Sequence, residues 1–125
     1  MNKITSQEVV NQAANVVNDA LKAMPKSSRG IAEFLHRRGI TGKRGSSGNC
    51  PIRNYLRSVL DQAGLFTEVE VRVNGGRFNV LRIGRYGDFN YARVQFTNPA
   101  AVGQFIDEFD ETKKYKYLLP QEATS

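Results

Sequence analysis

The apolar residues of this chain change their spacing twice, and that change limits the folds open to it more than any other feature. Over residues 6–63 they recur every three to four positions, the period of a helix with one buried face. Val69, Val71 and Val73 then alternate with Glu68, Glu70 and Arg72, the period of a half-buried strand. Val102, Phe105, Ile106 and Phe109 restore the helical stripe. Strands that follow one another without helices between them pair antiparallel, because a parallel pair needs a crossover. The order therefore predicts an α+β fold: three N-terminal helices, a small antiparallel sheet of two or three strands, and a C-terminal helix. With 125 residues, 40% of them hydrophobic, the chain can build one modest core, so a single domain is expected over 1–120 with a frayed tail at 121–125.

Local signals place the elements. The first helix is read over 6–24, with Thr5 and Glu8 in capping-box spacing, Ile4 and Val9 as a hydrophobic staple, and Pro25 after its end. The second runs over 29–38, with Ser28 as N-cap and Gly39 as a left-handed C-cap that folds Ile40 back on Leu35. The third runs over 51–63, with Asn49 or Cys50 as N-cap, Pro51 at the first position, Gly64 at the end and Leu65 as the closing contact. Asn74-Gly75-Gly76 marks a hairpin turn. The next strand, 77–83, breaks alternation between Phe78/Val80 and Leu81/Ile83, which suggests a bulge. The third strand is read over 89–96, pointing Ala92, Val94 and Phe96 one way and Tyr91, Arg93 and Gln95 the other. Asn98-Pro99 starts the last helix, 99–111.

Composition excludes several chemistries. One cysteine, Cys50, makes neither an internal disulfide nor a cysteine metal cage, and one histidine, His36, makes no multi-histidine site. No metal, cofactor or catalytic constellation is expected. No apolar run reaches the roughly 20 residues that span a bilayer. The polar stretch 1–7 carries no signal-peptide core, so a cytoplasmic location without a membrane partner is expected. Cys50, at a helix N-terminus near Lys43 and Arg44, has the surroundings of a reactive thiol, but a capping role is the simpler expectation. Glu68 with Glu70, and the carboxylates from Asp107 to Glu111, read as solvated charges.

The charge is polarised. The chain carries a net +6, yet residues 22–57 alone hold nine cations against Glu33, which points to a docking face for an anionic partner. On the third helix Arg53, Asn54, Arg57 and Ser58 fall opposite the apolar side. Arg reads guanine and Asn reads adenine bidentately in a major groove, while Ser bonds phosphate. The loop 42–48 supplies Lys43, Arg44, Ser46 and Ser47 at a helix N-terminus, a phosphate cradle that lacks the Gly-Lys-Ser/Thr ending of a Walker loop.

The second helix, the loop and the third helix resemble a helix-turn-helix, and the hairpin that follows stands where a winged helix has its wing. The eleven residues 39–49 exceed the usual tight turn. The resemblance is one of architecture. It implies a non-enzymatic nucleic-acid-binding module, for duplex DNA more than RNA, contacted through helix 51–63 and the hairpin. The expected contacts are Arg29, Arg37, Lys43, Arg44, Ser46, Ser47, Arg53, Asn54, Arg57, Ser58, Arg72 and Arg77. Tyr91 and Arg93 on one strand face, with Arg72 or Arg82 across the sheet, offer a second route, by stacking single-stranded bases. The rival expectation is a small adaptor or inhibitor of phage or plasmid type, which sets the basic face on an acidic protein. A homodimer that closes the polar face of the third helix is compatible with either.

Overall fold

The computed structural model describes residues 5–64 and 67–120. The elements run α1 (Ser6–Lys22), α2 (Ser28–Arg37), α3 (Pro51–Ala63), β1 (Glu70–Asn74), β2 (Phe78–Ile83), β3 (Ala92–Thr97), α4 (Ala100–Glu111) and a 3₁₀ turn (Lys116–Leu118). The strands form one antiparallel sheet in the order β1-β2-β3. This is the α+β arrangement read from the periods.

The helix ends follow from local chemistry. Thr5 Oγ1 accepts from the Glu8 amide at 3.1 Å, and Glu8 accepts from the Thr5 amide at 3.3 Å, closing the capping box of α1. Its staple partner Ile4 lies outside the described residues, as does Leu65 after α3. The cap of α2 is Ser27, one residue before the expected Ser28; Ser27 Oγ accepts from the Gly30 amide at 3.0 Å. Ser28 is instead buried in the first turn. Gly39 takes φ 69°, and the amides of Gly39 and Ile40 bond the carbonyls of His36 and Leu35 at 3.0 Å each, a Schellman closure. For α3 the cap is Cys50, with Pro51 next.

Other details depart from expectation, beginning with α1, which ends at Lys22 rather than at 24. β2 pairs without interruption to both neighbours, so no bulge forms. Its broken alternation arises because Asn79, Leu81 and Ile83 face the helices while Val80, on the outer face, is covered by its cross-strand neighbours Arg72 and Gln95. β3 begins at Ala92, not at residue 89, because residues 84–91 form a loop that carries Phe89 into solvent. α4 begins after Pro99 without a side-chain cap. Asn98 accepts from Asn79 Nδ2 at 2.6 Å in the core and so does not cap.

α1 lies against β2 and β3, α3 lies against β1, and α2 packs on α4 and the 3₁₀ turn. Residues 69, 71, 73, 79, 81, 83, 92, 94 and 96 make the inner face of the sheet, and one apolar cluster joins it to all four helices. Phe105 and Phe109 of α4 are fully buried in that cluster. Among the described residues no helix is long and apolar enough to cross a membrane.

Candidate nucleic-acid interface

α3 turns its polar face toward the edge of the sheet. Arg53 Nε donates to the Val71 carbonyl at 3.2 Å, and Nη1 donates to Asn54 Oδ1 at 3.2 Å. Arg57 Nη1 donates to the Val69 carbonyl, and its Nη2 pairs with Asp61 at 2.9 Å. Asn54 Nδ2 donates to the Thr41 carbonyl at 2.7 Å and to Asn49 Oδ1 at 2.9 Å. Ser58 Oγ donates to the Tyr55 carbonyl at 2.7 Å. The Ser47 carbonyl accepts from the Val73 amide at 3.0 Å. The carbonyls of residues 69 and 71 and the amide of residue 73 point to the same side of β1, so two guanidinium groups and one loop carbonyl close its outer edge. An open strand edge invites pairing with another chain, and this one is sealed. All four α3 residues expected to read DNA thus make hydrogen bonds within the protein, two of them to β1.

The loop 42–48 is likewise a junction. Arg44 Nε donates to the Phe109 carbonyl at 2.7 Å and Nη2 to the Lys114 carbonyl at 2.9 Å, with the guanidinium 4.8 Å from the Phe109 ring centre. The Gly45 amide donates to Asp110 Oδ1 at 2.9 Å, so an internal carboxylate takes the place expected for a phosphate. Gly42 passes so close to the start of α3 that a Cβ there would stand 2.4 Å from the Pro51 nitrogen. Ser46 and Ser47 line a cavity of about 560 Å³ with Arg77 and Asp110. Lys43 and Arg37 are exposed and make no side-chain hydrogen bond or ion pair among the described residues, and Arg29 pairs with Glu33 at 3.4 Å in solvent.

Cys50 is buried, and its Sγ accepts from the Arg53 amide at 3.3 Å. Burial pushes the thiol up to about 11, with Asp110 adding to the rise against the pull of the Arg53 amide. It is protonated at neutral pH and caps α3. His36 meets Tyr117 edge-on, with ring centres 4.7 Å apart.

The outer face of the sheet carries the polar set. Glu70, Arg82 and Arg93 stand in one cross-strand row, and Arg72, Val80 and Gln95 in the next. Arg72 and Arg82 hold Glu70 from two sides at 2.9 and 3.0 Å. Partial burial pushes the Glu70 carboxyl up, but the bonds from Arg82 and Arg72 outweigh it and keep it below the ordinary range. Arg93 Nη2 donates to Gln95 Oε1 at 2.8 Å. Arg72, Arg93, Gln95 and Thr97 are exposed, so α4 does not cover this face. Tyr91 continues the phase of Arg93, and Tyr86 meets it edge-on at 5.7 Å.

The loop that holds Tyr86 is organised by its own backbone. Asp88 Oδ2 accepts from the Arg85 amide at 2.7 Å, and the Asp88 amide returns to the Arg85 carbonyl at 2.8 Å. Phe89 is fully exposed and Tyr86 is 90% exposed. Sequence reasoning passed over Tyr86 and Phe89; the signal was there in three aromatics and an arginine within residues 85–91. No known protein family, curated protein or solved structure matches this chain.

Proposed function

We propose that this protein is a non-enzymatic nucleic-acid-binding module that holds a single-stranded segment on the outer face of its sheet. The observation that carries the reading is one uncovered surface with Arg72, Arg82 and Arg93 against a single Glu70, ending in Tyr91 and Tyr86. Rows of guanidinium groups track a phosphate backbone, and exposed aromatic rings at their end stack unpaired bases without reading sequence. Duplex reading through α3 has less support, because Arg53 and Arg57 bond the carbonyls of β1 rather than projecting into solvent.

The test is fluorescence anisotropy of a labelled single strand and the matching duplex, over a range of salt. Single-strand binding should weaken with salt at a slope of about 0.7 per neutralised phosphate. Arg93→Ala should lower that slope by about one contact, and Tyr86→Ala should weaken binding roughly tenfold at unchanged slope. Absence of single-strand binding at low salt, or variants that bind like the parent, would sink the reading.

A specific observation favours a second reading. Phe89 and Tyr86 protrude from an ordered loop, as aromatic anchors of a protein interface do. That reading expects a partner protein captured from lysate equally with and without nuclease, and lost on Phe89→Ala.

A further inference from the structure

The two edges of the sheet are finished differently. Two guanidinium groups and a loop carbonyl seal the outer side of β1. The bonds at that edge also fix the phase of the ladder. The carbonyls of residues 69 and 71 and the amide of residue 73 point outward, so Glu70, Arg72 and Asn74 bond to β2, through Arg82, Val80 and Phe78. Asn79, Leu81 and Ile83 then bond to Phe96, Val94 and Ala92 of β3. The backbone of Arg93, Gln95 and Thr97 is left facing away from the sheet. The Arg93 carbonyl shows this phase directly, since it accepts from Gln7 Nε2 of α1 at 3.3 Å. Among the described residues no other hydrogen bond reaches the outward amides and carbonyls of these three residues.

Proline, bulges and inward charges are the usual guards of an edge strand, and β3 has none of them. It pairs with β2 without a bulge, contains no proline, and turns the apolar Ala92, Val94 and Phe96 to the core side. Its one charge, Arg93, lies on the outer face and bonds Gln95 at 2.8 Å. Val94 and Phe96 pack on the core yet stay only half-buried. Gln7 shares a helix stripe with Asn18 and with Asn11, which it bonds at 3.1 Å. The stripe of α1 beside the open edge therefore carries no charge against an approaching strand.

We propose that β3 pairs antiparallel with β3 of a second copy of this chain, joining the two three-stranded sheets into one across a two-fold axis. One register uses every outward group: Gln95 stands opposite Gln95 of the copy, and Arg93 opposite Thr97 on each side of the axis. Each of these pairs exchanges two backbone hydrogen bonds. The register keeps the arginines apart and sets amide against amide at the axis. On the inner face Val94 of each copy stands opposite Phe96 of the other, in the closer kind of cross-strand pair. That aromatic and β-branched match covers both half-buried side chains. The contact is distinct from a dimer through α3. It leaves the outer face of the sheet open, so it stands independently of nucleic-acid binding there.

The experiment is sedimentation equilibrium of the full chain, free of nucleic acid, over a range of protein concentration. The parent should pass from monomer to dimer. Gln95→Pro removes only an outward amide, which an edge strand can spare. It should weaken association at least about tenfold, while the circular dichroism of the dilute protein stays that of the parent. Gln95→Lys and Gln95→Glu keep the backbone intact and set like charges face to face at the axis. Each should weaken association about fivefold, and their equimolar mixture should form a mixed dimer tighter than either alone. A chain that stays monomeric at every concentration would overturn the proposal and leave the edge to an extended peptide of another protein. So would a dimer that survives Gln95→Pro, or a mixture no tighter than its components.

Discussion

Replacing both arginines of α3, Arg53→Ala/Arg57→Ala, separates a structural role from a reading role. The double variant removes the donors to the Val71 and Val69 carbonyls, the Asp61 ion pair and the Asn54 contact. A hydrogen bond from a charged donor contributes about 1.5–3 kcal/mol. The Arg57 side chain is 19% exposed and Arg53 is half-buried, so solvent screening lowers this to about 1–2 kcal/mol each. Together the loss is about 2–4 kcal/mol. At about 2 cal/mol/K of unfolding entropy per residue, each kcal/mol shifts the Tm of a chain this size by about 4 °C, so the double variant should melt about 8–15 °C lower. Circular dichroism melts and urea titrations measure this. Light scattering adds an independent readout, since an unsealed β1 edge should promote association. A fall in Tm under about 2 °C with a monodisperse protein would refute the structural role. Loss of duplex affinity at an unchanged Tm would restore α3 as a recognition helix.

Cys50 should resist alkylation at pH 8 in the folded protein and react once urea unfolds it; fast labelling of the native state would contradict a buried, protonated thiol. Its pKa is raised on folding from 9.0 to about 11, so the folded state holds the proton more tightly, and stability should fall as pH rises from about 9 through 11. Cys50→Ser should flatten that fall in urea titrations. Phe105→Ala should cost about 3–5 kcal/mol, since the ring is fully buried and stacks on Phe109 at 6.0 Å and Tyr115 at 5.5 Å; a loss near zero would mean that α4 does not close the core. Asn79 Oδ1 and Asn98 Nδ2 are buried without hydrogen-bond partners among the described residues, so Asn79→Leu/Asn98→Ala should equal or exceed the parent in stability by about 1 kcal/mol while Asn79→Leu alone falls below the double variant. A double variant less stable than the single one would contradict this.

Local physics alone determined much of this protein. The capping box at Thr5 and Glu8, the Schellman closure at Gly39, Pro51 after Cys50 and the period of each segment depend on neighbours within four residues, so α1, α2, α3 and the sheet were legible in order and class. The buried stripe of α4 was legible for the same reason. What lay beyond reach were contacts between residues far apart in the chain. An arginine on the polar side of a helix looks solvated until a strand 18 residues later brings a bare carbonyl beside it, as Val71 does for Arg53. Arg44 looked like a phosphate ligand until α4 and the residues after it supplied two carbonyls 65 and 70 residues away. Sequence spacing places such side chains on a face, but only packing decides whether that face meets water or backbone. The same holds for Phe89, read as the first residue of the third strand, which the loop's own hydrogen bonds carry into solvent. Helix and strand periods are local; the pairing of polar groups is decided by which edges and ends the tertiary structure brings together.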